Sequence, residues 1–92
     1  MAKVSKCDCR NCSYNLANTC HALAVTIGDD DNQRCDTFCE IPVHGGDPQS
    51  IAGVGACKVA SCMYNVELEC RASGILVGFK AGEPDCLTFR TR

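Results

Sequence analysis

Apolar positions in this chain come in short runs separated by polar turns. The longest, around Leu23–Ile27 and Gly74–Val77, are strand-sized. Leu23-Ala24-Val25-Thr26-Ile27 is rich in β-branched residues, which fit a pleated sheet surface, and it stops at Gly28; the pattern predicts a strand. Cys35-Asp36-Thr37-Phe38 predicts a short closing strand, with a turn over Asp29-Asp30-Asp31-Asn32 between the two. Those acidic residues lack the alternating ligands, glycine and distal Glu of a calcium loop. Upstream, Asp8-Cys9-Arg10-Asn11 makes a tight polar loop. Ser13-Tyr14-Asn15 makes a turn, because Asn tolerates left-handed backbone and bonds locally. Residues 41–56, IPVHGGDPQSIAGVGA, hold two prolines, four glycines and no cysteine, and predict a flexible linker. Residues 1–6 predict a loose leader. Nothing approaches the ~18 apolar residues of a membrane-spanning helix.

The cysteines divide the pattern in two. From Cys7 to Cys35 they fall at C-x4-C-x7-C-x14-C, and from Cys57 to Cys86 at C-x4-C-x7-C-x15-C. A shift of 50 places aligns Cys7, Cys12, Tyr14, Asn15, Cys20, Ala22 and Gly28 with Cys57, Cys62, Tyr64, Asn65, Cys70, Ala72 and Gly78. After one extra residue, at a turn where length is tolerated, Cys35, Thr37 and Phe38 align with Cys86, Thr88 and Phe89. The chain is an internal duplication, with modules at 7–40 and 57–92 joined by 41–56.

Ten cysteines in 92 residues mark a metal or disulfide scaffold. Each repeat falls below the ~40 residues at which a domain usually folds without staples. MAKVSK is polar and basic with no apolar run behind it, so it does not read as a secretory signal. The expected compartment is a reducing cytoplasm, where cysteine clusters more often hold metals. Four thiolates suit one tetrahedral zinc ion per module, two in all. Cys7, Cys12, Cys20 and Cys35 would serve the first and Cys57, Cys62, Cys70 and Cys86 the second. A closed all-thiolate shell is structural and leaves no open position for catalysis. Iron fits the same shell, and the spacings match neither ferredoxin pattern. The alternative is a pair of disulfides per module, with three connectivities that spacing does not distinguish.

Cys9 and Cys39 stand outside the repeat; their counterparts are Val59 and Arg90. Joint presence in one module suggests that they partner each other, in a local disulfide, in a larger cluster, or across to a neighbouring molecule. His21 is matched by Arg71 and His44 lies in the linker, so neither reads as a ligand. Tyr14, Tyr64, Phe38 and Phe89 are expected beside the sites, and Asn15 and Asn65 are expected to fix turns through side-chain-to-backbone bonds.

The formal charge is −2, and a divalent ion on four thiolates leaves each site doubly negative. That balance argues against nucleic-acid binding, which relies on a basic surface. Lys6, Arg10, Arg34, Lys58 and Arg71, beside the cysteines, are placed to offset thiolate charge. No Ser/His/Asp set, paired carboxylates or nucleotide loop is present, so the chain is expected not to be an enzyme.

The pattern C-x4-C-x-Y-N-x4-C-x-A, a short β-branched strand, then C-x-T-F resembles the domain of unknown function 1540. That family consists of small cysteine-rich bacterial modules, often in tandem and chiefly in anaerobes and spore-formers. The resemblance covers both modules and supports the fold and the cysteine roles. The expected fold is small and β-rich, stabilised by metal or disulfides: two tandem short-stranded four-cysteine modules with little helix. The expected function is a metal-binding protein that engages a protein partner or buffers metal, with no nucleic-acid or membrane role. The alternative is a disulfide-held, self-assembling component of a spore layer or extracellular filament.

Overall fold

The computed structural model describes residues 1–29 and 31–92; Asp30, within the acidic turn expected at 29–32, lies outside them. Among the described residues nine strands are formed and none is helical. They are β1 (Lys3–Cys7), β2 (Asn15–Leu16), β3 (Thr19–Cys20), β4 (Ala24–Ile27), β5 (Gly53–Cys57), β6 (Asn65–Val66), β7 (Glu69–Cys70), β8 (Gly74–Lys80) and β9 (Glu83–Cys86). The apolar runs therefore form β4 and β8. The closing strand expected at 35–38 is reduced to single bridges at Arg34 and Cys35, because the chain turns at once through Asp36 and Thr37.

The main sheet runs β4-β5-β1-β8-β9 and mixes the two modules. β1 of the first module lies parallel to β8 of the second, and β5 of the second lies parallel to β4 of the first. Between them β1 and β5 are antiparallel, with Val4 N–H donating to Ala52 O at 2.9 Å and Val54 N–H to Ala2 O at 2.7 Å. This reciprocity is an approximate two-fold axis. A second reciprocal pair lies on the far side: Cys35 N–H donates to Pro84 O at 2.7 Å and Cys86 N–H to Gln33 O at 2.8 Å. With the Ile27–Cys35 and Arg34–Asp85 bridges, these bonds join the outer strands and close the sheet into a ring. Each module supplies a strand to the other.

Hydrophobic burial explains the exchange. Val4, Val25, Ile27, Val54, Ile75 and Val77 come from both modules and are all buried, with Ala2 and Ala52. Strict alternation along β1 would send Val4 and Cys7 to opposite faces. The register shifts between Val4 and Lys6, and likewise in β5 between its partners Val25 and Thr26. The extra residue, Ser5 or Gly55, is absorbed as a bulge that turns the next cysteine inward. Val4 and Cys7 are thus both buried, as are Val54 and Cys57.

Residues 3–6 and 53–56, expected as loose leader and flexible linker, belong to the sheet. The intervening segment is tied to the first module. Ile41 N–H donates to Ser13 Oγ at 3.1 Å, Gly45 N–H to Ser13 O at 3.0 Å and Asp47 N–H to His21 O at 2.9 Å. The His21 ring bonds through Nδ1 to Ser50 O at 2.7 Å. Gly46, at φ +83°, passes so close to the His21 carbonyl that a side chain there would collide with it. No helix among the described residues is long and apolar enough to cross a membrane.

Candidate metal centres

Each module folds its cysteines around one small cavity. Cys7 closes β1, Cys12 follows the polar loop, Cys20 closes β3, and Cys35 sits at the bridge to β4. These four and Cys9 line the first cavity, with Tyr14 and Phe38 over them and Val77 and Pro84 contributed by the other module. The second cavity is lined by Cys57, Cys62, Cys70 and Cys86, with Tyr64 and Phe89, and by Ile27 from the first module. The free volumes, about 10 and about 20 Å³, are of the order of a single water or ion. The eight repeated cysteines line the two cavities, four in each, together with the four aromatic residues. None of the ten cysteines is joined to another by a disulfide in this structure. Among the described residues no three Cys, His, Asp or Glu side chains stand as a ready-made metal cage.

Backbone geometry bears on the sulfurs directly. The N–H of Ala22 donates to the Cys20 sulfur, and that of Ala72 to the Cys70 sulfur. The N–H groups of Thr37 and Phe38 donate to Cys35, and those of Thr88 and Phe89 to Cys86. The motifs C-x-A and C-x-T-F are therefore turns that aim amides at a sulfur two and three residues back. Such donors favour the thiolate. Burial acts the other way and more strongly: it pushes Cys35 and Cys86 each up to about 11, and raises Cys20 and Cys70, with neighbouring thiols adding to it. Burial thus favours the protonated thiols, while the amide donors favour the thiolate.

The remaining motif residues hold the loops. Asn15 Nδ2 donates to Cys7 O at 2.8 Å, and Asn65 Nδ2 to Cys57 O at 2.7 Å. Their Oδ1 atoms accept from the amides of Asn18 and Leu68, each at 3.2 Å, so the side chain spans the two-residue β2–β3 and β6–β7 turns. Thr37 Oγ1 accepts from Thr26 N–H at 3.0 Å, and Thr88 Oγ1 from Leu76 N–H at 2.9 Å, fastening the fourth cysteine to β4 or β8.

Cys9 and Cys39 sit differently with respect to the first cavity, which only Cys9 lines. Cys9 is buried among Cys7, Cys12 and Cys35, and burial first, then Cys7, pushes its thiol up to about 12. Cys39 is half-buried outside the cavity lining, and its backbone carbonyl accepts from Ser13 N–H at 2.6 Å, as Arg90 does from Met63 at 2.7 Å. His21 is spent on the linker and His44 is exposed. Lys6, Arg34 and Lys58, expected near the thiolates, pair with Asp8 or Asp36 at 3.6 to 3.9 Å, while Arg10 Nε donates to Asn18 Oδ1 at 3.1 Å. Sequence reasoning missed Val4 and Val54 as cavity walls; the signal was A-x-V-x2-C, present at Ala2–Cys7 and again at Ala52–Cys57.

One family model, described as Domain of Unknown Function (DUF1540), matches twice, at residues 6–40 and 56–89. No curated protein and no solved structure shows significant similarity to the chain. The two matches coincide with the two cysteine cavities and cover most of the sequence, so the chain belongs to the DUF1540 family and carries two tandem copies of its domain.

Proposed function

We propose that this chain is a non-enzymatic metal-binding protein in which each module closes four thiolates on one zinc ion, serving a protein partner or buffering metal. The observation that carries this reading is the set of amide donors on the third and fourth sulfur of each module. A thiolate gains from such bonds far more than a disulfide sulfur does, because the donors meet a full negative charge. The convergence of four thiols on an ion-sized space supports the same reading. The sulfurs surround that space without yet forming a cage, so binding is the step that sets their positions. Its free energy, roughly 10–16 kcal/mol in zinc-finger peptides, would act as folding free energy.

Chelation under reducing conditions tests this. Protein purified with metal present should contain two ions per chain by elemental analysis, and a strong chelator should abolish its β-sheet circular dichroism. Retention of structure after complete chelation, or protein that never takes up metal, overturns the reading.

A further inference from the structure

Cys9 and Val59 occupy equivalent places. Each is 1% exposed, and each carbonyl accepts an amide at 3.0 Å, from Cys12 in one module and Cys62 in the other. The fold therefore offers the same buried position to both side chains, and only in the first module does it hold a sulfur. That sulfur lines the cavity with Cys7, Cys12, Cys20 and Cys35. Cys12 also lines a groove of about 260 Å³ that is open to the surface beside residues 41–44. The first cavity thus has five thiols, and one of the five residues, Cys12, also borders a surface groove.

We propose that Cys9 is an exchange ligand: the first centre passes its ion to an external thiol-rich acceptor, while the second centre retains its own. This rests on the four-thiolate reading above. In a closed shell of four thiolates, an ion departs only after a ligand bond breaks with nothing formed in return. A fifth thiol fixed beside the shell acts at high effective concentration. With an ion bound, the Cys9 sulfur–metal bond would form as the Cys7 sulfur–metal bond breaks, and the proton displaced from the Cys9 thiol would go to the Cys7 thiolate that leaves. No electrons move and the charge of the site is unchanged. The ion keeps four sulfur ligands throughout, and an acceptor arriving at Cys12 meets a shell already in exchange. Val59 offers the second centre no such step.

The test uses the full-length reduced chain loaded with two equivalents of zinc and mixed rapidly with a chromophoric zinc chelator, with native mass spectra taken alongside. Two release phases of equal amplitude are expected, separated by about tenfold or more, which corresponds to about 1.4 kcal/mol in barrier height. Cys9→Val should merge the fast phase into the slow one. Val59→Cys should convert the slow phase into a fast one, and this gain decides the matter even if Cys9→Val folds poorly. A chain that binds two zinc ions and releases both at one rate overturns the exchange role and leaves the four-thiolate reading standing. Two phases that neither substitution alters overturn it as well. A chain that binds no zinc overturns both.

Discussion

Replacing Val4 with Ala asks whether the residues before the first cysteine are a tail or a structural strand. Val4 is 1% exposed, forms part of the first cavity wall and lies in β1, between β5 and β8. The substitution removes two carbons from the interior, about 1.6 kcal/mol of transfer free energy at ~0.8 kcal/mol per group. The space left between two valine-lined strands of a bonded ring collapses only in part and adds about 1 kcal/mol. A total near 2.5 kcal/mol should lower Tm by about 10–20 °C in a domain of this size. The assay is thermal or urea unfolding by circular dichroism, with metal loading held equal, since bound ions shift apparent stability. Lys3→Ala, at an exposed position of the same strand, should stay within about 0.5 kcal/mol of the parent. Val54→Ala, at the equivalent buried position, should match Val4→Ala. If Val4→Ala behaves like Lys3→Ala, the exchanged-strand architecture is wrong.

Three further substitutions probe the local reasoning. Asn65→Ala removes the 2.7 Å bond to the Cys57 carbonyl and frees the Leu68 amide, so it should cost about 1–3 kcal/mol by urea unfolding, and Asn15→Ala should do the same. Leu68 sits at φ +68° where Asn18 sits at +64°. A bulky residue is strained there by about 1 kcal/mol, so Leu68→Asn should raise the urea midpoint with an unchanged slope. Asp85 is buried with Oδ1 unpartnered; burial, then Glu83, raises its pKa from 3.8 to about 6. The folded state therefore holds this proton more tightly than the unfolded state, a contribution fully present below about 3.8 and lost as pH rises through about 6. Between those values Asp85→Asn should gain more stability with rising pH than the parent, and parallel pH profiles would refute this.

The cysteine frame was legible because the spacing within each repeat is local: the repeat picks out eight of the nine cysteines that line the cavities, all but Cys9, and Tyr14, Asn15 and Phe38 with their partners fall where the repeat puts them. The strand exchange was not legible. Pairing of β1 with β8 and of β4 with β5 spans the duplication, and no single-stretch pattern records which copy a strand joins. The bulges at Ser5 and Gly55 also break the period-two alternation that would mark β1 and β5 as strands, so glycine and polar residues there read as linker. The Thr37 and Thr88 hydroxyls escaped notice for a similar reason, since their partners lie 11 and 12 residues away. Cys9 and Cys39 looked like a pair because they are absent together from the second module, yet the fold places one inside the cavity and the other outside its lining.

The central claim is that the eight repeated sulfurs are thiolates holding two metal ions, and native mass spectrometry of the intact chain, freshly purified with and without reductant, tests it most directly. The account predicts a mass per chain increased by two zinc ions, less the protons those ions displace, and the same under both conditions. A mass without metal that is short by two hydrogens for each of four disulfides, and that reverts on reduction, would contradict it.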